Sequence, residues 1–233
     1  MRVFHFLNAD HGQDDIARRR VRISRFRDLN DPFELLAVKN EDEKFRKGLR
    51  SWGEHFDKVY GLLCFSRDWH NPLLWGHYAD KHRGLCLGFD LADTLVRRVN
   101  YVSERIPLRF EKGDPSRALD KGFVEHLLLT KYEHWRYEDE VRVLIELSPK
   151  LPNEKGSYFF PFSGKLVLRN VILGARCKLS IDRVRKDVRS GYGKAASVTQ
   201  ARLAFKRFAV VYDERSVRVE NAYRRGDLGG TAT

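Results

Sequence analysis

VYGLLCFSRDWHNPLLWGHYADKHRGLCLGFDL, residues 59–91, decides how this chain is read. It opens with a short apolar run, passes through a polar turn into a segment with helical spacing, and closes on a second apolar run. Such runs of seven or so residues are the signature of strands buried on both faces. Between them, Asn71 and Pro72 form a helix start, because an Asn side chain can cap the first free N–H groups and proline lacks the N–H that would go unpaired. The spacing predicts a helix with Leu74, Trp75 and Tyr78 on its apolar face, ended by Gly84.

Working outward, MRVFHFL predicts a first strand, with Val3, His5 and Leu7 on one side and Phe4 and Phe6 on the other. A short helix around DDIARRR and a strand VRISRF follow. In LNDPFELL, Asp31 is a candidate N-cap ahead of Pro32, opening a helix. EDEKFRKGLRSWGEHFDKV is helical, with Phe45, Leu49, Trp52 and Phe56 at core spacing. Residues 100–120 hold a strand fragment, VNYV, and a charged turn. FVEHLLLTKYEHW reads as one helix, VRVLIEL, YFFPF, KLVLRNVILG and FAVVYD as strands, and KLSIDRVRKDVRSG as a helix. There is no repeat and no linker-like shift in composition. Strands and helices do not alternate regularly, so the expectation is a single α+β domain over residues 1–225, a mixed or antiparallel sheet flanked by helices, with a flexible glycine-rich tail at 226–233.

Composition narrows the classes. The chain has 233 residues, 42% of them hydrophobic, enough for a substantial core. No apolar run approaches the roughly 20 residues that span a bilayer, and the first residues lack a signal-peptide core. A cytoplasmic protein without membrane contact is expected. Cys64, Cys86 and Cys177 lie scattered in apolar runs and read as buried thiols. The 44 Lys and Arg against 32 Asp and Glu leave a formal charge of +12, suited to a polyanion such as DNA or RNA. The excess gathers in ARRRVRISRFR, RVRKDVRSGYGK and ARLAFKRF, with Arg18, Arg19 and Arg20 as candidate phosphate contacts. The alternative for each is a solvated basic surface.

Phosphate loops, dinucleotide fingerprints, nucleophile elbows and zinc helices are all missing from the sequence. His77 and His82 are five apart, which turns them to different helix faces, so no histidine-held metal is expected. What remains is WRYEDEVRVLIEL, residues 135–147. Read as a strand entry, it points Glu138 and Glu140 to one side and Asp139 to the other. Two carboxylates crowded on one face raise a pKa or demand a partner, as sites do. The alternative is a solvated strand entry salt-bridged to Arg136 or Arg142.

Three segments, LNDPFE (29–34), LLWGHYADKHRGLCLGFD (73–90) and KYEHWRYEDEVRVLI (131–145), together resemble a widespread bacterial family of unknown function, over most of residues 1–175. A looser resemblance links the order of His in strand one, a strand ending in FS, a helix with Tyr before an apolar strand, and E-x-E at a later strand to the H-Y-E ADP-ribosyltransferases. That resemblance implies a split sheet holding NAD as co-substrate. His5 would bond the nicotinamide-side ribose or amide, Tyr78 would stack on nicotinamide, and Ser66 would contact ribose. Ser24, Asn30 and Asp31 would lie by adenine. Glu140 would be the catalytic carboxylate, and Glu138 would orient or deprotonate the acceptor. The basic surface favours a nucleic-acid acceptor, and the resemblance implies a toxin or phage-defence setting, with an antitoxin or defence partner protein. Two other readings stand beside it: a metal-dependent nuclease on Glu138, Glu140 and Asp31, and a non-catalytic nucleic-acid-binding module.

Overall fold

The computed structural model describes residues 1–39, 42–107, 121–225 and 227. Its strands are β1 Arg2–Leu7, β2 Arg20–Arg22, β3 Tyr60–Ser66, β4 Leu85–Leu91, β5 Arg97–Arg98, β6 Asn100–Val102, β7 Thr130–Tyr132, β8 Glu140–Glu146, β9 Asn153–Glu154, β10 Ser157–Pro161, β11 Leu166–Leu173, β12 Ser197–Leu203 and β13 Val210–Tyr212. Its helices are α1 Ala9–Arg18, α2 Glu43–Val59, α3 Pro72–Tyr78, α4 Lys121–Leu128, α5 Ile181–Tyr192 and α6 Glu214–Arg225. The class is α+β, with a mixed sheet and flanking helices, as the order of apolar runs led one to expect. The chain divides into two compact units, Met1–Val21 with Phe65–Thr94 and Pro161–Thr233, and Arg22–Cys64 with Leu95–Phe160. Apart from Asp227, the expected tail at 226–233 lies outside the described residues, as does most of the charged turn before residue 120.

In the first unit the strand order is β13, β12, β11, β4, β1, and Phe4 of β1 pairs with Ser66 at the end of β3. All pairings are antiparallel except β11 with β12. β4 lies between β1 and β11, and every residue of it but Asp90 is buried, which explains its unbroken apolar run. Both sides of β1 are covered as well: Val3, Phe4, Phe6 and Leu7 are all buried, and His5 is half-buried. α1 packs on β4 and α5, α3 on β1, and α5 and α6 on β12. α1 begins earlier than DDIARRR, because Asn8 caps it by accepting the His11 N–H at 2.8 Å.

α3 starts where expected, with the Asn71 side chain accepting the Leu73 N–H at 3.0 Å. It stops at Tyr78, well short of Gly84. Asp80, Lys81 and His82 then take left-handed φ values of 44°, 54° and 70°, a conformation unfavourable for side chains with a Cβ. Backbone bonds from His82 to Trp75 O and from Gly84 to Ala79 O close the turn. Gly84 is needed here for room: a Cβ on it would lie 2.1 Å from the Leu7 carbonyl oxygen. β12 and α6 were not expected, because their basic residues read as surface charge. Both bury a narrow stripe, Val198, Thr199 and Ala201 on the strand, Ser216 and Glu220 on the helix.

In the second unit the order β3, β8, β5 runs beside a parallel pair, β6 with β7, and an antiparallel pair, β9 with β10. α2 buries Phe45, Leu49 and Phe56, and Trp52 stacks on Phe56 at 4.8 Å. Phe26, Leu35, Leu62, Val124 and Leu128 complete the cluster around Phe56. Two expected helices are corrected. LNDPFELL is a run of turns, because Asp31 Oδ1 accepts the Phe33 N–H at 2.9 Å and Leu35 enters the left-handed region at φ 63°. FVEHLLLTKYEHW breaks after Leu128: Thr130 Oγ donates to His126 O at 2.7 Å, β7 follows, and a 3₁₀ helix runs from Glu133 to Glu138. Among the described residues no helix is long and apolar enough to cross a membrane.

Candidate active site

The acidic stretch is not a strand entry. Glu138 ends the 3₁₀ helix, Asp139 turns through φ 45°, and only Glu140 opens β8. Strand alternation therefore does not align the two glutamates. A common cation does: Lys131 Nζ, on β7, donates to Glu138 Oε2 at 2.5 Å and to Glu140 Oε2 at 3.1 Å. Arg142, one strand repeat after Glu140, donates from Nε to Glu140 Oε1 at 2.8 Å and from Nη2 to Glu140 Oε2 at 3.1 Å. Its other edge grips Glu34 at 2.6 and 2.9 Å in the two-pronged geometry that suits guanidinium and carboxylate. The Tyr101 hydroxyl on β6 accepts the Glu140 N–H at 2.8 Å.

All five charged side chains in this cluster are 6% exposed or less. Taking so many charges out of water is costly, and only mutual pairing makes it tolerable. The consequences for protonation follow. Burial raises the Glu140 carboxyl, but Arg142 and then Lys131 outweigh it, and with bonds from Arg142 and the Cys64 thiol hold it down to about 2. Burial and the neighbouring Glu140 push the Cys64 thiol well above its ordinary value, so it is a neutral donor. Burial pushes the Tyr101 hydroxyl up to about 12, although its bond from the Glu140 backbone opposes the rise. Lys131 is raised, because Glu140, Glu138 and Glu34 outweigh its own burial.

Glu140 is thus an anion at any physiological pH. It can stabilise a developing positive charge by its field, but at about 2 it is a poor proton acceptor. Glu138 is held through Oε2 on Lys131. Of the carboxylates named for a metal, both Glu140 oxygens and Glu138 Oε2 are turned to cations, and Asp31 Oδ1 to a backbone N–H. A cavity of about 260 Å³ reaches the cluster at Lys131 and Thr130, with Phe33, Leu36, Val102 and Arg105 among its walls. That is just below the roughly 300–1,000 Å³ of most ligand sites, room for part of a ligand.

The remaining expected residues divide between the units. Ser24, in the second, is half-buried and bridges Leu62 through its backbone, and Asn30 is exposed. In the first unit, the His5 ring meets Phe65 edge-on at 5.7 Å, and Tyr78 is half-buried at the end of α3 beside His77. Ser66 Oγ donates to Asp68 O at 2.8 Å and accepts the Asp68 N–H at 3.1 Å, shaping the turn after β3. The three consecutive arginines do not present one phosphate-binding surface. Arg18 pairs with Asp14 at 2.8 Å, Arg19 caps α1, bonds Gly191 O and lies over the Tyr192 ring, and Arg20 is buried near Asp14.

Sequence reasoning missed Glu34, Lys131, Tyr101 and Cys64 as members of the cluster. Glu34 ends the LNDPFE segment and Lys131 opens the KYEHW segment, so the three quoted segments taken as one unit were the available signal. No curated protein and no solved structure matches the chain. Residues 74–143, which hold most of α3, all of β4 and the whole cluster except Glu34 and Cys64, match the model of a family described as Protein of unknown function (DUF2971), a family of the kind the quoted segments resemble.

Proposed function

We propose that the protein is a cytoplasmic NAD-dependent ADP-ribosyltransferase acting on nucleic acid, with Glu140 as its electrostatic residue. The observation that carries this reading is a carboxylate at the opening of a strand, kept ionised by Lys131 and Arg142. Breaking the bond between ribose and nicotinamide passes through an oxocarbenium-like state, and a fixed anion lowers the energy of that positive charge without reorganising as it forms. A permanent anion suits this task better than it suits proton transfer, so the proposal rests on Glu140 and leaves Glu138 as the group that holds Lys131. The order of His5, Tyr78 and Glu140 along the chain supports the same plan by resemblance. A toxin or defence setting with a partner protein belongs to that resemblance as well.

The test is nicotinamide release from NAD with DNA, RNA or protein supplied as acceptor. Wild type should release nicotinamide, and Glu140→Gln should be slower by about a hundredfold or more. Glu34→Gln loosens the same cluster from its far side and leaves the Glu140 carboxylate in place, so it serves as the structural control and should retain most activity. No release by wild type with any acceptor, or an equal fall in both variants at equal melting temperature, would overturn the reading.

A further inference from the structure

The basic segment ARLAFKRF is the tip of a hairpin in the first unit. β12 and β13 pair through Leu203 with Val210, and the Ala204 N–H closes the loop on Ala209 O at 2.9 Å. The tip carries Phe205, Lys206, Arg207 and Phe208. Phe205 and Phe208 are 89% and 101% exposed, a costly placement for two phenyl rings unless they meet something. The base of the hairpin is firmly held: the Val210 N–H donates to His70 O at 2.8 Å, and the Tyr212 ring lies tilted against buried Trp69 at 4.3 Å.

Each ring borders its own hollow. Phe208 and Arg207 edge one of about 800 Å³ with His70, Asn71 and Asp68. Phe205 edges another of about 400 Å³ with Arg202, Tyr212 and Glu214, and the Arg202 guanidinium lies over the Phe205 ring at 4.6 Å. Two aromatic faces flanking two cations, each beside a hollow that carries some polar groups, match the needs of a single nucleic-acid strand. Unstacked bases find rings to lie on, and phosphates find Lys206 and Arg207. Asp68 is bonded to the His70 ring at 2.7 Å and Glu214 lies 3.6 Å from Arg202, so these carboxylates are paired within the chain, and the two cations between the rings set the charge that a strand meets.

We infer that the 204–209 hairpin is a docking site for single-stranded nucleic acid, with Phe205 and Phe208 stacking on bases and Lys206 and Arg207 on the backbone. This deepens the proposed function by naming how the acceptor is held, and rests on it only for that role, because binding is measurable without NAD. The experiment is fluorescence anisotropy of labelled single-stranded DNA and RNA oligonucleotides, and of the matching duplex, with the full-length protein and no NAD. Phe205→Ala combined with Phe208→Ala should weaken single-strand binding at least tenfold. Lys206→Ala with Arg207→Ala should weaken it and make it less salt-dependent, lowering the slope of log affinity against log salt by about one to two. Both pairs are solvent-facing, so melting curves should match wild type. The proposal fails if wild type binds neither strand, if it prefers duplex, or if the phenylalanine pair binds as wild type does. It fails equally if that pair alters only sedimentation on anionic vesicles or self-association in an ultracentrifuge.

Discussion

Asp15 and Glu140 are buried carboxylates, one in each unit, and their surroundings pull them in opposite directions. Asp15 lies on the packed face of α1, beside Asp14. Burial, and then its acidic neighbour, push it up to about 8, and Arg20 offsets only part of this. Glu140 is just as deeply set, but two cations and a thiol donate to it, and it falls to about 2. Burial alone therefore does not determine the state of an acid; what matters is whether the fold brings it donors. In the first unit Asp15 is carried into the interior by a helix that packs for other reasons, with Gly12 so close to β4 that a Cβ there would lie 2.3 Å from Leu85. In the second unit, β7, β8, the 3₁₀ helix and the LNDPFE turn bring their charged residues to one place.

Removing a cation should have the largest effect. Arg142→Met strands Glu34 and Glu140 without their main partner, and should cost about 3–5 kcal/mol in chemical denaturation. A loss below about 1 kcal/mol would mean that the cluster is not held as described. Glu140→Gln comes next, at about 1–3 kcal/mol near neutral pH, because Arg142 keeps Glu34. It should also flatten the acid limb of stability. Glu140 has a folded value below its ordinary 4.5, so its contribution is complete above about pH 4.5 and is lost as pH falls towards 2.

Asp15→Asn should act the other way. The folded protein keeps a proton on Asp15 that the unfolded chain gives up above its ordinary 3.8, so wild type loses stability as pH rises from about 4 to 8. The variant is freed of that penalty. Its melting temperature should exceed wild type by about 2–4 °C at pH 8, with no gain at pH 4. The smallest change is Asn8→Ala at the start of α1, about 1 kcal/mol or less in chemical denaturation, because only the uncharged bond to the His11 N–H and a 3.3 Å contact from Asn8 Nδ2 to the His11 ring are lost.

Much of the first unit was legible in the sequence, because β1, β4 and β11 are apolar runs whose burial follows from composition alone. The second unit was less so. LNDPFELL reads as a helix by its Asp and Pro, but the same Asp side chain bonds the backbone two residues on and makes a turn instead. Lys131 reads as a helical surface residue until three distant carboxylates are known to surround it. The pairing of Glu138 with Glu140 was anticipated, though through strand alternation and not through the lysine that joins them. β12 and α6 were hidden because polar residues interrupt their short buried stripes, Thr199, Gln200 and Arg202 on the strand and four arginines on the helix. Local propensity is visible in a sequence, whereas an ion pair between Glu34 and Arg142 is not.

The most direct test of the account is side-chain carboxyl NMR of ¹³C-labelled protein across the acid and neutral range. Glu140 should show no protonation step above about pH 3, and Asp15 should step near pH 8. A Glu140 step near its ordinary 4.5 would mean that Lys131 and Arg142 do not hold it as an anion, and the electrostatic role proposed for it would lose its basis.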